Sequence, residues 1–510
     1  MPNEIEEYSG SPPVEIGYKK KWITCSILLL INLLNYIDRY SIVGVLPRLS
    51  EYFTINDKDK GLLQTVFVVF YMFAAPLFGY LGDRYNRKML MISGIVIWIS
   101  AVFASSFVKE GESHFNTFLL CRAVVGIGEA SYSTIAPTIL SDIFSGSARS
   151  RILMLFYFAI PVGSGLGFIA GSKIALLTNS WQWGVRFSPI VGIACLALMV
   201  FLFEEPVRGA CDGARQSGEE DSLREDLRYL LSIKTFYLVT LASTAAFFTI
   251  GAMTWWTPEF VGYAYGVIKG IPKTPEAEKS EISLWFGAIT SIGGILGVAT
   301  GSVVSRAWRD GTSLFRNHAS EKADLYICAL AMFIALPFLF LFVFVAEFSI
   351  IFCLIAVYFA IMSCCMCWAV NVDTLMYVVV AHRRASALAV QTMVAHLLGD
   401  AASPYIIGAI SDWLRGEDAS NAGRFAALQK AFYGSNFMLV IAGALYLAAT
   451  FYVEEDRKEA LFQMDVSAPD HWREPQDDME ALIPHSHPDT VEGREEEPAD
   501  IVNEISHSSA

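Results

Sequence analysis

The chain has 510 residues, of which 54% are hydrophobic and only 17% are charged, and its mean hydropathy is +0.44. Soluble globular proteins carry about 25% charged residues, so this composition excludes an ordinary soluble domain and indicates several membrane spans. The formal net charge of −14 comes largely from the C-terminal tail and a central linker. The basic residues lie mostly in short loops that flank apolar segments on one side, where they indicate membrane orientation. We therefore expect no nucleic-acid partner.

Twelve apolar segments follow one another along the chain, and each is long enough to cross about 30 Å of hydrocarbon. They span residues 22–47, 61–82, 88–108, 115–144, 151–177, 184–204, 234–263, 282–304, 323–346, 349–380, 385–412 and 431–453. The longest polar stretch between them divides the set into six and six. The predicted fold class is therefore an all-α membrane protein with twelve transmembrane helices in two six-helix halves.

The same pattern predicts five regions. They are an N-terminal segment (1–20), a first half (21–204), a central linker (205–233), a second half (234–455) and a disordered acidic tail (456–510). Within the linker, 222–231 is predicted to form a short amphipathic surface helix. Basic residues concentrate in alternate loops, so the linker and both termini should lie in the cytosol.

A faint internal repeat supports the division into halves. Gly79-x-x-x-Asp83-Arg84 closes the second segment, and Gly301-x-x-x-Ser305 closes the eighth. The second copy has serine where the first has the acid. Duplicated six-helix halves are typical of secondary transporters.

Ionisable residues are scarce inside the apolar segments of the first half. Asp38 and Arg39 lie within the first segment, and Arg122 and Glu129 lie within the fourth. Arg122 and Glu129 are seven residues apart, nearly two helical turns, so both project from one face about 10 Å apart. Lipid would penalise that face heavily, so we expect it to line a bundle interior or a cavity.

Two interpretations of this group remain open at this point. It is either an internal ion pair that only fixes helix packing, or a site where Asp38 and Glu129 take up a proton. In the second case Arg122, with Arg39 and Tyr36, binds an anionic headgroup. Burial favours the neutral form of a carboxylate, whereas a neighbouring arginine favours the charged form. A substrate that binds the arginine would therefore change the protonation of the carboxylate.

The second half offers fewer candidates. Glu259 follows a Trp-Trp-Thr-Pro run, Asn371 lies in the tenth segment, and His396 and Asp400 lie in the eleventh. His396 and Asp400 are one turn apart and can share a helix face. We predict that they take part in proton coupling and that Asn371 contacts substrate, although a lone buried histidine usually serves packing.

The polar loop after the second segment predicts a cytosolic gate. Asp83, Arg84 and Arg87 lie there, and Arg149 and Arg151 follow the fourth segment. A charge pair between these groups, or a contact with a helix N-terminus, would join the two halves on that side. The simpler interpretation, compatible with the first, is a topology signal.

Motifs of enzymes and metal sites are lacking. The sequence has no phosphate-binding glycine loop, His-Glu-x-x-His or Gly-x-Ser-x-Gly, so we expect neither catalysis nor a cofactor. Cys364 and Cys367 form a CxxC, but these cysteines are expected to pack helices rather than to bind a metal.

Several stretches resemble a known family. Residues 35–46, 126–139 and 396–405 resemble spans 1, 4 and 11 of Spinster-type transporters of the major facilitator superfamily. The loop 79–90 resembles the Gly-x-x-x-Asp-Arg-x-x-Arg-Lys loop of that superfamily, and the similarity covers about 20–455.

The resemblance implies a twelve-helix fold, a central cavity and lysolipid substrates, with proton coupling in some members. The acid of span 1 and the arginine and acid of span 4 correspond to Asp38, Arg122 and Glu129, with Arg39 beside the first. The physics agrees, because a single-chain lipid with a phosphate head needs a cation for the head and an apolar slot for the tail.

The sequence therefore predicts a secondary active transporter that moves a lysophospholipid or sphingosine 1-phosphate by alternating access with proton coupling, acting as a monomer. A carrier of another organic anion or sugar, and a receptor or scaffold with the same fold, are the alternatives. Asp478 to Ile483 resembles an acidic dileucine signal, which predicts a sorting adaptor at Leu482 and Ile483 and an endolysosomal membrane.

Overall fold

A computed structural model of the chain describes residues 17–206, 223–312, 315–316, 318–380, 383–418 and 420–466. The predicted adaptor contact at Leu482 and Ile483 lies outside these residues, and so does the side chain of Asp83.

The described part of the chain is almost entirely helical. Its α-helices are α1 (Tyr18–Phe53), α2 (Asp57–Arg84), α3 (Arg87–Ser105), α4 (Phe115–Ile143), α5 (Gly146–Thr178), α6 (Trp181–Leu202), α7 (Leu223–Ser232), α8 (Lys234–Lys269), α9 (Glu276–Arg309), α10 (Ala323–Val345), α11 (Ile350–Val378), α12 (Arg384–Ala395), α13 (Ala402–Arg415), α14 (Asn421–Ala449) and α15 (Val453–Val466). A π-helical turn, His396–Asp400, lies between α12 and α13, so these form one broken span.

Eleven helical segments in the described residues are long and apolar enough to cross a membrane, with the α12–α13 segment counted once. The remaining long helix, α4, has 29 residues and corresponds to the predicted fourth span. Its mean hydropathy is lowered by Arg122, Glu129 and several hydroxyl side chains. Arg122, Glu129, Ser131 and Tyr132 lie on the buried side of α4, so the polarity of this side marks the place of the helix inside the first half.

Five predicted spans begin at least four residues too late. Two of them are α1, which starts at Tyr18 rather than 22, and α5, which starts at Gly146 rather than 151. The other three share one end of the bundle. The structure starts α2 at Asp57, α9 at Glu276 and α14 at Asn421, whereas the apolar pattern placed these starts at 61, 282 and 431. The first turns carry charges that resemble loop residues, but Lys60 and Arg424 are inside helices and make ion pairs.

Each half repeats one packing scheme. In the first half α4 packs on α2 and α3, and in the second half α11 packs on α9 and α10. Between the halves, α2 packs on α13 and α5 packs on α9, so the second span of each half contacts the fifth span of the other. At the α5–α9 contact Gly165 and Gly287 meet so closely that a Cβ on either would collide with the carbonyl oxygen of the other.

Successive helices alternate in direction, which gives the bundle two ends. We call the end that holds the α2–α3 turn the near end, and the end that holds the α1–α2 turn the far end. The linker helix α7 packs at the near end of the second half, where Asp226 pairs with Arg383 at 3.0 Å and accepts a hydrogen bond from Ser386 at 2.9 Å.

Candidate functional site

The four predicted charges of the first half are buried inside the bundle rather than turned toward lipid. Asp38, Arg122 and Glu129 are each at most 2% exposed, and the side chain of Arg39 is 12% exposed. Arg39 Nη2 pairs with Glu129 Oε2 at 3.0 Å, which joins α1 to α4. This group is called the first-half charge cluster below.

Aromatic rings of two helices surround Arg39. Its guanidinium carbon lies 5.1 Å from the ring centroid of Tyr36, 4.8 Å from that of Phe67 and 4.9 Å from that of Tyr71. The Phe67 ring also lies 5.1 Å from the guanidinium of Arg122. Cation–π contacts of this kind stabilise a desolvated arginine. Phe67 and Tyr71 were not predicted, because aromatic residues at helical spacing resemble ordinary packing residues.

Asp38 has a different environment from Glu129. One carboxylate oxygen accepts a hydrogen bond from Trp98 Nε1 at 3.0 Å, and the other accepts one from Ser188. These donors come from α3 and α6, so Asp38 ties three helices of the first half together. Sequence reasoning missed both partners because nothing in the local pattern of either helix marks a hydrogen-bond donor to α1.

Several buried atoms of the cluster have no hydrogen-bond partner among the described residues. They are Nε and Nη2 of Arg122, Nε of Arg39 and Oε1 of Glu129. A buried charged group without partners carries a large desolvation cost. The Arg122 guanidinium therefore presents unused donors, and a bidentate oxyanion such as a phosphate matches the geometry of such a fork.

An apolar cavity of about 80 Å³ lies between the two halves, and its lining does not include the residues of the first-half charge cluster. Tyr40, the residue after Arg39, lines it from the first half together with Pro161, while Thr290 and Trp368 line it from the second. Almost all of its wall is apolar. In this state the cavity is too small for a whole acyl chain, so a lipid tail would have to widen it.

His396 and Asp400 meet as predicted. His396 Nδ1 lies 2.9 Å from Asp400 Oδ2, and the imidazole packs edge-on against Phe247 with centroids 4.9 Å apart. The pair occupies the π-helical turn, a feature that occurs frequently at functional sites. Directly after this turn, the carbonyl of Ala401 accepts a hydrogen bond from Thr65 of α2 at 2.5 Å, so the turn lies at the interface between the halves.

Asn371 lies inside the second half, in a side-chain network of its own. Its Oδ1 accepts hydrogen bonds from Ser243 at 2.8 Å and from Tyr446 at 3.1 Å, and its Nδ2 donates to Gln391 at 3.1 Å. The network joins α8, α11, α12 and α14. The contact of Asn371 with substrate stays a prediction, and the bonds described here give it a packing role.

At the near end, Arg87 organises the first half. Its Nη1 pairs with Asp142 at 2.6 Å and its Nε with Glu205 at 3.3 Å, and its backbone N–H also donates to Glu205. The residue is buried despite its charge. These bonds connect the start of α3 to the end of α4 and to the segment after α6.

The other predicted gate residues have separate surroundings. The Arg84 guanidinium lies 3.7 Å from the Tyr80 ring centroid, Arg149 Nε donates to the carbonyl of Phe144 at 2.8 Å, and Arg151 is exposed. A latch between the halves through these groups stays a prediction.

In the second half, a neighbouring helix supplies the carboxylate that this copy of the repeat lacks. Ser305, which stands where the first copy has Asp83, donates a hydrogen bond to Asp324 of α10. Arg309 Nη1 pairs with the other oxygen of Asp324 at 2.8 Å. The carboxylate at the near end of this half therefore comes from the neighbouring helix.

Metal ligands do not converge in the described part of the chain, where no three His, Cys, Asp or Glu side chains are grouped to hold an ion. Cys364 and Cys365 line the apolar cavity, and Cys367 Sγ donates to the carbonyl of Cys364 at 3.1 Å. All three cysteines are buried, and their role in helix packing stays a prediction.

Comparison with known proteins identifies the family. Residues 28–404 match the Major Facilitator Superfamily. The chain is 44% identical to Protein spinster homolog 3 of Danio rerio over 90% of this chain and 91% of that protein. It is 43% identical to Protein spinster homolog 1 of Homo sapiens over 85% and 81%, and 38% identical to the Sphingosine-1-phosphate transporter SPNS2 of Xenopus tropicalis over 90% and 87%.

Solved structures agree with this fold. The crystal structure of a bacterial homolog to the human lysosomal transporter Spinster, inward-facing and unoccupied, has a TM-score of 0.73 at 17% identity, covering 87% of this chain and 99% of that chain. The D-xylose-proton symporter has a TM-score of 0.62 at 17% identity over 85% and 97%. The chain is thus a multi-pass membrane protein that belongs to the Spinster family of the Major Facilitator Superfamily.

Proposed function

We propose that this protein is a secondary active transporter that carries a lysolipid across a membrane by alternating access. The observation that carries the proposal is the Arg122 guanidinium, buried in a membrane helix with two nitrogens that have no partner among the described residues. A scaffold would gain stability by replacing such a group with an apolar side chain. Its retention supports a role in binding an anionic headgroup.

The apolar cavity supports the lipid part of the substrate. It is lined by Tyr40, which follows Arg39 in the chain, and by Thr290 and Trp368 of the second half. A molecule with a phosphate at Arg122 and a single hydrocarbon chain in this cavity would bridge both halves. That arrangement lets one substrate bias the positions of the halves, which a carrier requires.

Proton coupling is the second part of the proposal, and the geometry favours Glu129 over Asp38. Both oxygens of Asp38 accept hydrogen bonds from fixed donors, whereas Glu129 has one oxygen without a described partner. Glu129 also pairs with Arg39, so protonation of Glu129 would release that arginine. We assign His396 and Asp400 a supporting role in the same process.

The orientation of the bundle in the membrane is a further part of the proposal. The basic loops at the near end place that end in the cytosol, and the contacts at the far end then close the bundle on the opposite side of the membrane. An endolysosomal membrane is the proposed location, supported by the dileucine-like sequence and by the name of the bacterial homolog's human counterpart.

A sugar carrier is the alternative function to consider, because the chain shares its fold with the D-xylose-proton symporter. That similarity at 17% identity concerns the fold alone. The apolar wall of the cavity favours a lipid, because a sugar requires a polar lining.

Reconstitution into liposomes tests the proposal. We expect flux of lysophospholipids or sphingosine 1-phosphate, no flux of xylose, and loss of headgroup-dependent flux in Arg122→Gln. The matched control is Arg186→Gln, which removes an arginine of the same half whose Nε and Nη2 both bond to Ser106. No flux of any lysolipid in folded wild-type protein, or undiminished flux in Arg122→Gln, would contradict the proposal.

A further inference from the structure

The far end of the bundle contains a buried cluster of charges that the transport site does not use. Lys60 of α2 lies 2.7 Å from Glu259 and 3.1 Å from Asp57, measured from its Nζ to the carboxylate oxygens. Asp57 and Lys60 are fully buried, and Glu259 is 6% exposed. Because Asp57 and Lys60 belong to the first half and Glu259 to the second, the cluster spans the interface.

Two arginines of the second half complete the cluster. Arg415 of α13 lies 3.5 Å from Asp57 Oδ2, and Arg424 of α14 lies 3.9 Å from Asp57 Oδ1. Ser411 of α13 donates to the same carboxylate at 3.0 Å, and Tyr263 lies 3.2 Å from Lys60 Nζ. We call Asp57, Lys60, Glu259, Arg415 and Arg424 the far-end ion cluster.

The second half also caps the start of α2. The backbone N–H groups of Asp57 and Lys58 donate to the carboxylate of Asp412 at 3.3 and 2.8 Å. The first N–H groups of a helix have no partner within it and favour a nearby negative charge. Separating the halves would therefore expose both unpaired charges and an uncapped helix end.

The contact continues along α2 toward the middle of the bundle. Gly61 packs against the backbone of Pro404, and Thr65 donates to Ala401 beside the π-helical turn. Asp57, Gly61 and Thr65 recur every four residues, so they form one face of α2. This face connects the far-end ion cluster to the turn that holds His396 and Asp400.

We propose that the far-end ion cluster holds the two halves closed on this side and comes apart each time the transporter opens there. Each buried ion of the cluster has a partner on the opposite half, and such pairs are costly to break by removing one member. Neutralising a member should therefore populate the state that is open at the far end. The inference requires only that the halves alternate, and it survives if the substrate is not a lysolipid.

Cysteine accessibility tests the proposal. Gly262 lines a cavity of about 230 Å³ that Glu259 and Arg424 of the cluster also line, and a Cβ added there meets only Lys279 Cγ, at 4.0 Å. We would label Gly262→Cys in lipid nanodiscs with a bulky, membrane-impermeant maleimide. The protein without this change gives the background from the native cysteines, of which the eight in the described residues are buried or half-buried.

We expect Lys60→Met and Glu259→Gln each to raise the labelling rate at least about tenfold. The double variant should label no faster than the faster single variant, because the two residues act through one bond. Lys109→Met is the control at the same end of the bundle, in the loop after α3, where the side chain is exposed, and it should change the rate less than about twofold.

Unchanged labelling in Lys60→Met and Glu259→Gln, at an unchanged melting temperature, would overturn the proposal and leave the cluster as a static scaffold. If Lys60→Met fails to fold, Arg424→Gln carries the same expectation, since that arginine is only partly buried. Lysolipid flux is measured separately from cysteine labelling. Absence of flux would contradict the proposed substrate, whereas unchanged labelling would contradict the role of the far-end ion cluster.

Discussion

Substitution of Glu129 by glutamine separates the proton-coupling role from a purely structural one. Glutamine keeps the size of the side chain and an oxygen that can still accept from Arg39 at the observed 3.0 Å. The change removes one negative charge from a buried cluster of two acids and two bases. Breaking a buried ion pair costs about 3–5 kcal/mol, and the retained hydrogen bond to a charged group is worth about 1.5–3 kcal/mol. The expected loss of stability is therefore about 2 kcal/mol.

The effect on coupling has a size that the pH gradient fixes. One pH unit is equivalent to about 1.4 kcal/mol per proton, which is a tenfold concentration ratio. Wild-type protein in liposomes with one pH unit across the membrane should therefore shift the substrate ratio by up to about tenfold for each coupled proton. We expect Glu129→Gln to exchange substrate but to bring it only to equal concentrations on both sides.

Asp38→Asn provides the comparison. Because Trp98 and Ser188 already satisfy both oxygens of Asp38, this change should lower the melting temperature and leave the response to the pH gradient in whatever protein folds. Accumulation by Glu129→Gln that still follows the gradient would refute the assignment of the proton to Glu129.

Two further outcomes are expected from matched pairs of variants. Thr290→Trp fills the apolar cavity and should slow the transport of long-chain substrates more than that of short-chain substrates. Thr300→Trp is the control and should have no such effect, because Thr300 is exposed. Both threonines donate a hydrogen bond to a carbonyl four residues earlier in α9. Asp142→Asn removes a half-buried partner of the buried Arg87 at 2.6 Å and should lower the free energy of unfolding by about 2 kcal/mol, because Glu205 remains. Glu204→Gln, which removes an exposed pair, should change it by less than about 0.5 kcal/mol in the same denaturation assay.

The twelve-span architecture was predictable because lipid imposes a simple rule on sequence. A span needs about 20 apolar residues, and charges inside such a segment have to turn inward. This rule correctly singled out Arg122 and Glu129 as interior residues. The spacing of four residues between His396 and Asp400 indicated that they could share a helix face, whereas the π-helical turn that holds them was not predicted. Membership of the transporter family confirms the prediction that the protein is not an enzyme.

The far-end ion cluster was not predictable by the same rule. Lys60 and Arg424 lie near the ends of apolar segments, where charges normally mark loops, so the predicted helices began after them. Their partners Glu259 and Asp57 are distant in sequence, and pairing over such separations depends on how the halves pack. The donors to Asp38 were missed for the same reason.

The proposed site can be tested by measuring how tightly the purified protein binds a lysophospholipid and its two truncated counterparts. We expect lysophosphatidylcholine to bind. Glycerophosphocholine, which lacks the tail, and monoacylglycerol, which lacks the phosphate, should each bind at least about 100-fold more weakly. Equal affinity for all three, or binding of the lysolipid that is unaffected by Arg122→Gln, would contradict a site that joins a buried guanidinium to an apolar cavity.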